Sequence, residues 1–124
     1  MRLTLLPDVY AICRLEPGAA IPAWATAGTF FCITRTDEEL SLLCAEEDVP
    51  QDVLAERGWR ALRLEGPFPF ELTGVLASIL HPLAEAGVSI LAVSTYHTDY
   101  VLVKAAQVER ALAALTGAGH VIRR

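Results

Sequence analysis

No apolar stretch among the 124 residues reaches the roughly 18 needed to cross a bilayer as a helix. The first residues, Met1 to Pro7, are too short for the apolar region of a secretory signal. Positive charge is also scarce. Ten Lys and Arg stand against fifteen Asp and Glu, giving a formal net charge of −5. The basic residues are scattered, apart from Arg123-Arg124. Nucleic-acid affinity rests on clustered basic contacts to phosphate, so no nucleic-acid partner is expected. There are three cysteines, Cys13, Cys32 and Cys44, with no CxxC or HxxxH spacing. No metal site and no cofactor are expected from them. Each lies in an apolar, strand-like run, so they read as buried free thiols in a reducing cytoplasm. A Gly/Ser-rich linker is missing too, so two freely tethered domains are not expected.

What is present can fill a core. The chain is 53% hydrophobic and 20% charged, the reverse of a disordered composition. Its length suits one domain or two very small ones. Residues 3–6 read as a short edge strand stopped by Pro7-Asp8, and 9–15 as a second strand. Residues 20–27 hold one or two helical turns opened by Pro22. Residues 29–35 and 40–45 form an antiparallel hairpin across Thr36-Asp37-Glu38-Glu39. A short acidic-fronted helix is expected from Asp48 to Arg57, capped by Gly58. Residues 59–65 are a strand with Trp59, Ala61 and Leu64 in the core. A helix over 73–86 carries Leu72, Val75, Leu76, Ile79, Leu80 and Leu83 in one apolar stripe. Pro82 removes the backbone bond to Ser78 there. Strands follow at 88–95 and 100–104, then a helix at 107–116 facing inward with Val108, Leu112 and Leu115. A last strand covers 120–122.

This order, strand-helix-strand-strand-helix-strand, occurs twice. Arg14-Leu15-Glu16 before Pro17-Gly18 matches Arg63-Leu64-Glu65 before Gly66-Pro67. Thr36-Asp37 matches Thr98-Asp99, and Gly58 matches Gly119. The second copy is longer between its first strand and its hairpin, where the long helix lies. The first copy therefore has a shortened first helix and a less covered sheet, which a partner subunit would cover. The expected architecture is α+β: two fused ferredoxin-like units, each an antiparallel sheet with helices on one face. The units are 1–65 and 59–124, sharing the strand 59–65.

Four stretches carry a family resemblance. They are Leu72-Thr73-Gly74-Val75-Leu76-Ala77-Ser78-Ile79, Ala86-Gly87-Val88-Ser89-Ile90, Ser94-Thr95-Tyr96-His97-Thr98-Asp99-Tyr100-Val101-Leu102-Val103 and, in the first half, Ile33-Thr34-Arg35-Thr36-Asp37-Glu38-Glu39-Leu40-Ser41. With the repeat, they resemble the ACT domain, a small-molecule-sensing module of amino-acid metabolism. In particular the chain is similar to stand-alone tandem ACT proteins of bacteria, akin to the ACT regions of aspartate kinase and of cytosolic arginine sensors. It departs from the common pattern at Thr73, where proline often precedes the glycine. The resemblance implies an amino-acid-binding, regulatory, non-catalytic homodimer, with its ligand near the loop into the first helix.

The residues supply a physical route to such a site. A helix beginning at Thr73-Gly74 leaves the N–H groups of Gly74, Val75 and Leu76 for a carboxylate. Gly74 allows close approach, and Thr73 can cap the helix or bond the ligand. Ser94, Thr98 and Asp99 offer acceptors for an ammonium group, and Thr34, Thr36 and Asp37 hold the matching places in the first half. The same residues also read as turn chemistry, and Gly74 as a packing glycine. His97 reads as a solvated turn residue, and Trp24 and Trp59 as core or interface. A protein–protein module of the same fold without a ligand is the alternative. A cavity beside Gly74 with convergent polar groups separates the two.

Overall fold

A computed structural model describes residues 1–124. The fold is α+β, with seven strands and two α-helices. No helix is long and apolar enough to cross a membrane. The chain divides into two compact units, Asp8–Trp59 and Met1–Pro7 with Arg60–Arg124.

In Asp8–Trp59 the strand order is β2-β3-β1-β4. These strands are β1 (Arg2–Leu15), β2 (Cys32–Arg35), β3 (Leu40–Ala45) and β4 (Ala55–Leu64). The expected hairpin is present, with Cys32 opposite Leu43 and Arg35 opposite Leu40. Alternation along the strands puts Ala11, Cys13, Leu40, Leu42 and Cys44 in one core with Ala25 and Val49. The first helix of the pattern is a single 3-10 turn, Ala23–Thr26, entered from Pro22. Trp24 packs against this core.

Two expectations fail in this unit. The helix over 48–57 does not form. A 3-10 turn, Glu46–Asp48, ends at Val49, which is extended at φ −87 and ψ 123. Pro50 disfavours a helical conformation in the residue before it, so the turn cannot propagate. Gly58 is then no helix cap. It lies inside β4 at φ +79, and its N–H donates to Glu46 Oε1 at 2.7 Å. The strand expected at 29–35 also starts later, at Cys32.

Cys13 and Cys44 are 1% exposed. Burial pushes the Cys13 thiol up, against the pull of the Arg57 charge. Burial, reinforced by Cys13 and Asp48, pushes Cys44 up to about 12. Only the thiolate attacks an alkylating agent, so both should be inert in the native protein. Mass spectrometry after brief iodoacetamide treatment should find Cys32 modified first, with Cys13 and Cys44 protected until denaturant is added. Equal labelling of all three would contradict this packing. The same shift carries a sign for stability. Cys44's contribution is complete below its unfolded value of 9.0 and is lost as pH rises towards about 12.

In the other unit the order is β7-β1-β4-β6-β5. It adds α1 (Val75–Glu85), β5 (Ile90–Ser94), β6 (Asp99–Lys104), α2 (Val108–Gly117) and β7 (Val121–Arg123). β5 and β6 are antiparallel, with Ser94 opposite Asp99. β7 runs parallel to the start of β1, Thr4 opposite Arg123. Pro7 does not stop β1, contrary to expectation. Its missing N–H falls between residues 2–4, which pair with β7, and residues 10–15, which pair with β3.

The two helices cover one face of this unit's sheet. Val75, Ile79 and Leu83 of α1 meet Val108, Ala111, Leu112 and Leu115 of α2 over Leu3, Leu5, Leu62, Leu64, Val101 and Val103. Leu72 leaves the expected stripe. The helix begins after it, and it is 50% exposed.

Pro82 lies inside α1 and cannot donate to the carbonyl of Ser78. His120 supplies the missing donor: its Nε2 lies 3.0 Å from Ser78 O. A carbonyl only accepts, so Nε2 carries the proton. His120→Ala should therefore cost about 0.5–1.5 kcal/mol, the net worth of a hydrogen bond to a carbonyl that water can otherwise reach. In the Pro82→Ala background the cost should shrink, because alanine, unlike proline, has the N–H that donates the helical bond. Denaturant unfolding of the four proteins of this cycle measures the coupling. Strictly additive costs would refute the substitution of one donor for the other.

Candidate functional site

The site lies in the unit containing Arg60–Arg124, where the loop from β4 into α1 meets the β5–β6 turn. The turn is closed by Thr95. Its N–H donates to Thr98 O at 2.8 Å, and its hydroxyl oxygen accepts from Thr98 N at 3.2 Å. Two bonds fasten the turn to β4 and the loop. The Thr98 hydroxyl donates to Leu64 O at 2.6 Å, and Phe68 N donates to His97 O at 2.9 Å. Gly66 is needed where the loop crosses the turn, because a Cβ there would stand 2.9 Å from His97 O.

Between loop and turn lies a cavity of about 200 Å³. Phe68, Phe70, Leu72 and Val75 form its apolar walls, and Ser94, Thr98 and Asp99 its polar side. Asp99 and Ser94 face each other across the hairpin, and the Ser94 hydroxyl donates to Asp99 Oδ1 at 2.5 Å. That bond fixes the carboxylate and uses one of its oxygens. The rim is aromatic. Phe70 and Tyr96 meet edge-to-face with centroids 4.9 Å apart, although both are more than 70% exposed.

The cavity touches the start of α1 at Val75. Gly74 is the N-cap, at φ +78 and ψ −1, and no side chain caps the helix. The first intrahelical donor in this turn is Ser78 N, to Gly74 O at 3.0 Å. The N–H groups of Val75, Leu76 and Ala77 therefore have no acceptor within the helix. The first turn holds no acidic residue, so its dipole is uncompensated.

The structure brings together four of the sequence-derived positions: Val75, Ser94, Thr98 and Asp99 line the same cavity. Gly74 borders it through the backbone. A Cβ on Gly74 would meet nothing within 4 Å, so helix–sheet packing does not explain this glycine; its positive φ does. Thr73 does not cap the helix, and Thr73 and Leu76 are not in the lining. Thr34, Thr36 and Asp37 belong to Asp8–Trp59. There the Thr36 hydroxyl accepts from Glu38 N and Glu39 N at 3.2 Å, which is turn chemistry. A cavity of about 310 Å³ in that unit is lined by Ile12, Arg14, Glu39 and Leu54 among others, not by these three. Sequence reasoning missed Phe68, Pro69, Phe70 and Thr95, placed Leu72 in the helix stripe and read His97 as a solvated turn residue, although both line the cavity. The signal was there in the aromatics and prolines of the loop just before the glycine-capped helix: Phe68 packs against the core, while Phe70 is exposed.

A family model described as ACT domain matches residues 54–117, just over half of the chain. A second model, for an N-terminal domain, matches residues 8–52. The chain is similar to the bovine (Bos taurus) protein named cytosolic arginine sensor for mTORC1 subunit 1, 36% identical over 86 residues. That match covers 60% of this chain and 26% of the sensor, about a quarter of its length. A crystal structure of an Agobacterium tumefaciens protein superposes with TM-score 0.93 at 42% identity, covering 98% of this chain and 90% of that one. The ligand-free regulatory subunit of aspartate kinase from Thermus thermophilus shares the fold, with TM-score 0.67 at 15% identity, covering 94% and 97%.

Proposed function

Because the chain belongs to the ACT domain family, we propose that it is a non-catalytic regulatory module that binds an amino acid. One observation carries this reading: the same cavity meets an uncapped helix N-terminus at Val75 and a fixed carboxylate at Asp99. An amino acid presents opposite charges a few ångströms apart. The main-chain N–H groups from Gly74 to Ala77 receive its α-carboxylate. Asp99, oriented by Ser94, receives its ammonium group. Phe68, Phe70 and Leu72 hold the side chain, and Thr98 completes the polar side. In this reading Thr34, Thr36 and Asp37 are the corresponding positions of the first unit.

The names of relatives support the class. One is an arginine sensor and another a regulatory subunit of aspartate kinase. We further read the chain as tandem, with units 1–65 and 59–124 sharing strand 59–65. The strand order β2-β3-β1-β4, with its helices reduced to 3-10 turns, supports a shortened first copy. The exposed Phe70, Leu72 and Tyr96 at the cavity mouth favour a homodimer in which a second copy covers it. A cytoplasmic location fits the three free cysteines. The same exposed rim favours the alternative, a protein–protein module without a ligand.

A thermal-shift screen against the twenty amino acids separates these readings. A ligand at about 100 times its dissociation constant adds roughly 2.7 kcal/mol, or several degrees. One amino acid that raises the melt supports the sensor. If none does, the interaction module stands instead.

A further inference from the structure

A larger cavity, of about 510 Å³, lies on the other side of the 97–98 turn. It is lined by Arg63, Glu65, Gly66, His97, Thr98 and Arg123 among others. Strand alternation explains why two arginines meet there. Leu62 and Leu64 of β4, and Leu3 and Leu5 of β1, face the helices, and Ile122 of β7 packs with them. Arg63, Glu65, Thr4 and Arg123 alternate with those residues and so share the opposite face. Thr4 pairs with Arg123 in the ladder, and Glu65 N donates to Arg2 O at 2.9 Å, which draws the four together.

The charges there are not balanced. Glu65 is the one carboxylate in the lining, and its Oε1 already accepts from the Thr4 hydroxyl at 2.8 Å. Arg123 Nη1 stands 3.9 Å from the same oxygen, at the limit of an ion pair, with the Arg123 side chain 70% exposed. Such a contact holds little of the guanidinium's capacity. Arg63 has no ion-pair partner. Two guanidinium forks, with an imidazole beside them, thus converge on one cavity of a chain whose formal net charge is −5.

We propose that this cavity binds a small anion of the carboxylate or phosphate class, held by Arg63 and Arg123 with His97 as a further donor. Planar guanidinium groups match the paired oxygens of both classes. The volume falls within the usual range for small-molecule sites. The site is distinct from the cavity of Asp99, whose lining contains neither arginine. The inference does not depend on amino-acid binding there. His97 and Thr98 line both cavities, so occupancy of one is felt at the wall of the other.

The test is a ¹⁵N NMR titration with inorganic phosphate and, separately, with succinate, at ionic strength held constant with chloride. The expected result is a saturable shift of Gly66, His97 and the arginine side-chain signals with at least one probe. The tighter probe identifies the class. Arg63→Ala and Arg123→Ala should each weaken binding by roughly tenfold. Arg124→Ala removes a neighbouring cation that is already paired with Glu109, and should leave binding unchanged. Asp99→Asn removes no donor to the anion and should not weaken its binding, which separates this site from the other. The proposal is overturned if neither probe gives a saturable shift, or if the double variant Arg63→Ala/Arg123→Ala binds both as the parent does.

Discussion

Asp99→Asn should weaken amino-acid binding by about 30-fold or more while leaving the ligand-free protein folded. Asparagine keeps the shape of the side chain and an oxygen for the Ser94 hydroxyl, which donates at 2.5 Å in the parent. What it removes is the charge opposite the ligand's ammonium. A hydrogen bond to a charged group is worth about 1.5–3 kcal/mol, and about 2 kcal/mol is that factor. Ser94→Ala should cost less. It frees the carboxylate to rotate but keeps its charge, and a lost hydrogen bond is worth roughly 1 kcal/mol. Calorimetric titration of the three proteins with the amino acid found in the screen checks the order. If Asp99→Asn binds as tightly as the parent, Asp99 is not the ammonium partner.

The second large effect is on stability. Ile79→Ala should destabilise the protein by about 2–5 kcal/mol, because Ile79 is completely buried between α1, α2 and the sheet. The lost methyl groups forfeit their transfer free energy, and the helices cannot close fully over the gap they leave. Leu72→Ser is the contrast. Leu72 is as apolar and stands just ahead of the same helix, yet it is 50% exposed. Its replacement should stay within about 0.5 kcal/mol of the parent. Urea unfolding reads both. A near-equal cost for the two would mean that periodicity, not the observed helix start, decides which residues are core.

That contrast marks where sequence reasoning succeeds. The bounds of β3, Leu40–Ala45, are legible because an apolar run sits between a polar turn and an acidic stretch. Ser94, Thr98 and Asp99 are legible because small hydroxyls and an acid cluster around one short turn. Other features depend on partners distant in sequence. Pro7 passes through β1 because no ladder bond is required of it, which is a property of β3 and β7. The His120 bond to Ser78 joins residues 42 apart in sequence, so neither residue announces it. The helix expected at 48–57 was an error of a local kind. Acidic residues favour a helix start, but Pro50 holds Val49 before it in an extended conformation, and the proline outweighs the dipole. The aromatic rim is not legible because Phe68 and Phe70 look alike in sequence, yet Phe68 packs against the core while the loop holds Phe70 at the surface.

The most direct test of the central claim is to follow backbone amide signals by NMR while each amino acid is added. Binding in the cavity predicts saturable shifts centred on Gly74 to Ala77, whose N–H groups face the ligand's carboxylate, and on the turn from Ser94 to Asp99, with smaller ones at Phe68, Phe70 and Leu72. The same amino acid should raise the melting temperature. Saturable shifts that spare both of these segments, or no shift with any amino acid, would contradict the account and leave this cavity as part of a surface that meets another protein.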